Sequence, residues 1–119
     1  MASRDAGAPI DRSVIGRISA GDPSAERDLV RRFLAFNEHD SRMLGHAVGR
    51  QDMELAVLVA QRMKASAEAL GAAPLADACE GIASAAAARD WHRVVGAMAA
   101  VRLEGERLQD YLRTAYPES

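Results

Sequence analysis

Alanine fills about a fifth of this 119-residue chain, far above ordinary usage. It is also the strongest helix former. Val and Ile are sparse, Thr occurs once, and no run alternates apolar and polar residues as a strand would. Turn signals cluster at Gly7-Ala8-Pro9, Gly21-Asp22-Pro23, Gly49-Arg50-Gln51-Asp52, Gly71-Ala72-Ala73-Pro74 and Arg89-Asp90. They divide the chain into one short and four longer helical segments.

The first segment, about 10–20, sets Ile10, Val14, Ile15 and Ile18 on one face, with Asp11 as N-cap. The second, about 23–48, has Asp22 as cap and Pro23 at the first helical position. Its inward stripe runs Leu29, Val30, Phe33, Phe36, Met43, Leu44 and Ala47. Asp52 caps the third, about 53–70, whose stripe is Leu55, Val59, Met63, Ala67 and Leu70 before Gly71 ends it. The fourth, about 74–88, starts at Pro74 and turns Leu75, Ala78, Cys79, Ile82 and Ala86 inward, with Gly81 as an interruption. Asp90 caps the fifth, about 91–115, with Trp91, Val94, Val95, Met98, Val101, Leu108 and Leu112 inward. Gly105 falls on that stripe and is expected to allow close helix contact. Short connections between long amphipathic helices favour antiparallel neighbours. The expected fold is all-α, an up-down-up-down four-helix bundle with a short N-terminal helix packed against it. Residues 1–8 are expected to be a flexible N-terminus, 9–115 a single helical domain, and 116–119 a C-terminal tail.

Composition narrows the function classes. A net charge of -2 gives no general basic footprint for nucleic acid. No apolar run approaches the roughly 18 residues that span a bilayer. The start, Met1-Ala2-Ser3-Arg4-Asp5, lacks the apolar stretch of a signal peptide; a small stand-alone protein and a domain of a larger kinase both fit the sequence. A cytoplasmic location is expected. The lone cysteine, Cys79, excludes an intramolecular disulfide and reads as a small core residue. His39 and His46 share a helix face but are seven apart, unlike the three- or four-residue spacing of adjacent metal ligands. His92 is expected at the surface. No phosphate loop and no nucleophile–base arrangement occurs, so neither enzymatic activity nor a cofactor or metal is expected.

The third segment and its exit read Ala60-Gln61-Arg62-Met63-Lys64-Ala65-Ser66-Ala67-Glu68-Ala69-Leu70-Gly71-Ala72. This resembles the signature of histidine-containing phosphotransfer (HPt) domains. In that family a His is followed by x-Leu-Lys-Gly, small residues, and Gly-Ala at the helix end. Met63, Lys64 and Ala65 stand at the Leu, Lys and Gly places, and Gly71-Ala72 at the exit. Leu75-Ala76-Asp77-Ala78-Cys79 is similar to the start of the family's next helix, and Phe33 to Asp40 to part of the preceding one. Asp90-Trp91 and the closing segment also fit, so the resemblance covers nearly all of 9–113.

The resemblance places Gln61 at the phosphoacceptor His position. An imidazole attacks a phospho-aspartate through a ring-nitrogen lone pair. The carboxamide nitrogen of Gln61 has its lone pair delocalised into the carbonyl and no acid–base function near neutral pH. It is not expected to carry phosphate. Gln61 shares a helix side with Glu54, Val57, Lys64, Ala65 and Glu68. The resemblance implies a docking or phosphoryl-neutralising face made of Lys64, Val57, Ala65, Glu68 and Arg62. Within it, Lys64 would balance phosphoryl charge and Ala65 would leave room for a partner. Glu68 is discordant, because its carboxylate opposes both a phosphoryl group and a receiver's acidic pocket. Departures at Ala65 and Glu68 favour natural divergence over a His-to-Gln replacement.

The expected function is an HPt-like two-component signalling protein with a blocked relay position. It would dock a response-regulator receiver domain or a histidine kinase as adaptor, competitor or inhibitor. Neither nucleic acid nor membrane is expected as a partner, and self-association stays open. Two alternatives remain. One is a phosphorelay domain carrying a His-to-Gln change; the other is a structural helical-bundle interaction module.

Overall fold

The computed structural model describes residues 8–117. The described chain is all-helical, with no strand. The five helices are α1 (Arg12–Ile18), α2 (Pro23–Gly49), α3 (Met53–Leu70), α4 (Ala73–Ala87) and α5 (Trp91–Ala115). Their bounds fall within about two residues of the expected segments. Most of the segment expected to be a flexible N-terminus, residues 1–7, lies outside the described residues, as do 118–119 of the expected tail.

The helix starts follow from aspartate. The side chains of Asp11, Asp22, Asp52 and Asp90 accept from the backbone N–H of Ser13, Ser24, Leu55 and Arg93. Each satisfies a donor that the first helical turn leaves without a partner. Only α4 lacks such a cap; its N-cap is Ala72, and Pro74 in the first turn has no N–H to satisfy.

The helix ends share one corner. After α1, α2, α3 and α4 the chain turns through a left-handed residue: Ala20, Gln51, Gly71 and Arg89, with φ of 53°, 56°, 85° and 55°, and at the first corner Gly21 follows at 77°. The next N–H then reaches back to a carbonyl five residues earlier. The pairs are Gly21 to Gly16 (3.0 Å), Asp52 to Ala47 (2.8 Å), Ala72 to Ala67 (2.8 Å) and Asp90 to Ala85 (2.9 Å). This is the Schellman closure, which satisfies orphan carbonyls in two residues. At three corners the residue making that bond is also the N-cap of the next helix, so the connections are short.

Helix α3 packs against α4 and α2, and α4 packs against α5. Contact between α2 and α5 is sparser, and α1 lies against α2 and α3. Nine of the 25 buried apolar residues are alanines, concentrated in α3 and α4. Larger side chains such as Leu44, Val59, Leu75, Ile82, Leu108 and Leu112 fill the space between them and are buried. Cys79 belongs to this core, where burial pushes its thiol up to about 12.

Several expected core positions differ. Phe36 is 65% exposed. Steps of three residues from Val30 through Phe33 drift about 60° each around a helix, which carries Phe36 off the buried line. Ile18, at the end of α1, and Val95, about 100° round from buried Val94, are exposed for the same kind of reason. A Cβ added at Gly105 meets nothing within 4 Å, so that glycine is not a close-contact point. Gly81 does not interrupt α4; it faces Ala97 of α5, whose Cβ would lie 3.7 Å from an added Cβ. Tyr116, expected in the tail, packs against the core. Its hydroxyl donates to Glu26 at 3.0 Å and accepts from Arg12 at 3.2 Å. The Arg12 guanidinium also sits 4.9 Å from its ring centroid, within cation–π range.

Gly71 locks α1 to the end of α3. The N–H of Asp11 donates to the Gly71 carbonyl at 2.9 Å. A Cβ at Gly71 would stand 2.9 Å from Val14 Cγ2 and 3.0 Å from the Asp11 carbonyl oxygen. Gly71→Ala therefore combines a disfavoured φ with a clash against backbone, and should cost roughly 2 kcal/mol or more. Urea denaturation should show a lower midpoint with an unchanged slope; an unchanged midpoint would contradict the α1–α3 lock.

Candidate functional site

Gln61 lies in mid-α3 and is exposed. The buried residues of that helix, including Ala56, Val59, Ala60, Met63, Ala67 and Leu70, occupy the opposite side. Ala65 and Glu68, one and two turns further on, are exposed on the same side as Gln61. The structure thus brings three of the expected face residues together around Gln61: Ala65, Glu68 and, half-buried at the flank, Lys64.

Lys64 is already engaged. Its ammonium donates to Glu80 of α4 at 3.0 Å, and Glu80 accepts from Ser84 at 3.1 Å. The bond to Glu80, then the field of Glu80, raises the Lys64 pKa, with smaller support from Glu68 and Asp77. Reciprocally, Lys64 and then Ser84 hold the Glu80 carboxyl below its usual range. The cation expected to neutralise a phosphoryl group is therefore matched by a carboxylate, with two more nearby.

Arg62 differs from the expectation. About 100° round the helix from Gln61, it turns toward α2 rather than joining the docking face. Its Nε donates to Asp40 Oδ2 at 3.2 Å and its Nη2 to Asp40 Oδ1 at 2.6 Å. Asp40 is the one buried charged residue among those described. The two-point pair supplies acceptors and donors in matched geometry, which a buried carboxylate requires. Arg62, half exposed, has its Asp40 hydrogen bond as the leading cause of a raised pKa. This pair ties α2 to α3.

Val57 also differs. It is half-buried and packs against the core, on the flank that carries Lys64 seven residues on. The apolar side chain that stands free on this side is Leu58, 59% exposed and one turn before Gln61 and Arg62. Phe36 on α2 is exposed one turn before Asp40. Sequence reasoning missed Asp40, Leu58 and Phe36 as site features. A signal existed for Asp40: it lies seven residues from both Phe33 and Ala47, in the middle of the α2 apolar stripe. A carboxylate there requires a cationic partner.

His39, His46 and His92 are exposed. Among the described residues, no group of three or more His, Cys, Asp or Glu side chains is placed to hold a metal, and no helix is long and apolar enough to cross a membrane. Comparison with protein-family models gives no match to the chain, and comparison with curated proteins gives none either.

Two predictions follow from this geometry. Arg62→Leu leaves Asp40 buried without its cation. Because water reaches the half-exposed arginine side, the expected loss is about 1–3 kcal/mol. Adding Asp40→Leu should recover part of that loss in a denaturation double-mutant cycle; additive losses would contradict the coupling. The second concerns Glu80. A carboxyl held low in the folded state contributes stability above its unfolded pKa and loses it as pH falls through the folded value. Carboxyl NMR should show Glu80 titrating below an ordinary glutamate, and Lys64→Met should move it upward. An unmoved titration would exclude the Lys64 contact in solution.

Proposed function

We propose that this chain is an HPt-like docking protein of two-component signalling with a blocked phosphoacceptor position. In this reading α2 to α5 form an up-down-up-down bundle, α1 packs against it, and the protein works in the cytoplasm. It binds a response-regulator receiver domain or a histidine kinase and takes no phosphate. Its effect is that of an adaptor, competitor or inhibitor rather than an enzyme.

The observation that carries the reading is Gln61 itself. It stands exposed in mid-α3, at the place where the HPt-like order of residues puts the reactive imidazole. Beside it are the small Ala65, which leaves room for a partner, and the exposed Leu58, which offers apolar contact. A carboxamide cannot form the phosphoramidate, and Lys64, the nearby cation, is held by Glu80. Docking without transfer fits both features. Neither requires the phosphoryl group to be present.

The test uses the chain, Leu58→Glu and Gln61→His, each mixed with receiver domains and histidine kinase domains from the same genome. Calorimetry reads binding, and a labelled phospho-receiver reads transfer. The chain should bind one of these domains without taking label. Leu58→Glu should weaken that binding at least tenfold, which corresponds to about 1.4 kcal/mol or more. Leu58 is the better probe than Val57, because a charge at Val57 would also disturb the core. No binding to any receiver or kinase domain would overturn the proposal. Label uptake by Gln61→His would instead favour a relay domain interrupted at one residue.

A further inference from the structure

The second surface of interest lies between α2 and α5, the least tightly packed pair of neighbouring long helices. Two cavities open along this seam, of about 290 and 540 Å³. Both are lined by Leu34 and Glu38, so they adjoin along α2 as a trough in two parts. It follows α2 from Arg27 to Arg42, about 22 Å at 1.5 Å per residue. The opposite wall is α5 and the residues just after it. Gln61 and the rest of the α3 face take no part.

The trough has an apolar floor and a basic rim. Val30, Leu34, Met98, Val101 and Tyr116 supply the floor. At its middle Gly105 contributes no side chain, and nothing lies within 4 Å of where a Cβ would be. The rim carries Arg27, Arg31, Arg42, Arg102 and Arg113 against Glu38 and Glu106. Arg42 is paired with Glu38, and Arg31 reaches Asp28 at 3.5 Å. Arg113 makes no ion pair among the described residues, and donates to the neutral Gln109 amide once that amide is turned to present its oxygen. Arg27 and Arg102 make no hydrogen bond or ion pair among the described residues. On a chain of net charge -2, this is a local excess of positive charge around an apolar slot.

We propose that the α2–α5 trough binds an acidic amphipathic peptide segment of a partner protein. The apolar floor takes one row of side chains, and the arginine rim takes the carboxylates that flank it. An amphipathic segment in a groove uses this division of labour, with apolar anchors for affinity and charge for orientation. Arginine suits the rim because its planar fork pairs with carboxylates at two points. The two glutamates among the rim cations disfavour a polyphosphate strand, which would present negative charge to every position. This proposal does not rest on the HPt-like reading, since the trough and the Gln61 face are separate surfaces.

The test uses a fluorescein-labelled dodecapeptide of glutamate and leucine in helical spacing, read by anisotropy against the full chain. Counterparts with lysine for glutamate, and with serine for leucine, separate the two contributions, and a twelve-nucleotide DNA strand tests the polyphosphate alternative. The glutamate–leucine peptide should bind most tightly, weaken at high salt, and shift the amide resonances of Leu34, Gly105 and Tyr116. Gly105→Leu should fill the slot and reduce binding at least tenfold with an intact helical spectrum, because the site is open around that glycine. Arg27→Glu combined with Arg113→Glu should weaken binding to a similar degree. Several results would overturn the proposal: no binding, equal binding by Gly105→Leu, resonance shifts confined to the α3 face, or tighter binding of the DNA strand. Concentration-dependent dimerisation abolished by Gly105→Leu would also overturn it, by making a second copy of the chain the occupant. Loss of receiver or kinase binding at Leu58→Glu with peptide binding retained would show that the two surfaces act separately.

Discussion

Small side chains set the distances on which this fold depends. Helix axes approach according to the bulk at their contact, and alanine allows the closest ordinary approach. Ala56, Ala60 and Ala67 of α3 and Ala76, Ala83 and Ala86 of α4 are all buried. The α3–α4 contact is accordingly the most extensive between any two helices. Such a core has little volume, so the few large side chains within it, Leu75 and Ile82 among them, carry much of the apolar burial. The α2–α5 seam lacks that close packing, and its floor of larger residues remains open to a trough. One alanine-rich composition therefore yields a tight side and a loose side.

Helix α3 lies between α2 and α4 and packs against both. Its flanks are pinned by ions, Arg62 to Asp40 on α2 and Lys64 to Glu80 on α4. The two bonds differ in kind. The first satisfies a buried carboxylate and specifies the rotation of α3 against α2. The second is exposed and contributes through position more than through energy. Between them the side chains of Gln61, Ala65 and Glu68 make no hydrogen bond or ion pair among the described residues, which leaves that strip available for contact with another molecule.

Helix limits were legible because their determinants are local. An aspartate cap, a proline in the first turn, and a glycine after the last all act within four residues. All four expected aspartate caps make their bond. Which edge of an apolar stripe would be covered was not legible, because that depends on the neighbouring helix. Phe36 and Val95 sit on such edges and are exposed, whereas Val57 sits on another and is half-buried. The Asp40–Arg62 pair joins residues 22 apart, and no short window contains both. Tyr116 shows the same limit, since its partners Arg12 and Glu26 lie near the other end of the chain. At the candidate site, the exposure of Gln61 and Ala65 followed from helix periodicity. The internal commitments of Lys64 and Arg62 required the fold.

The repeated corner at the helix ends has a consequence for how this protein can change. Of the five residues held in the left-handed region, only Gly21 and Gly71 are free of a Cβ; Ala20, Gln51 and Arg89 hold the same conformation against their own side chains. Such a conformation disfavours an ordinary L-residue by about 1–2 kcal/mol. These three positions are exposed and lie outside the α3 strip. The chain therefore holds an uncollected reserve of robustness at its helix corners. Evolution or a designer could draw on it to offset a destabilising innovation on either surface, with no repacking of the interior.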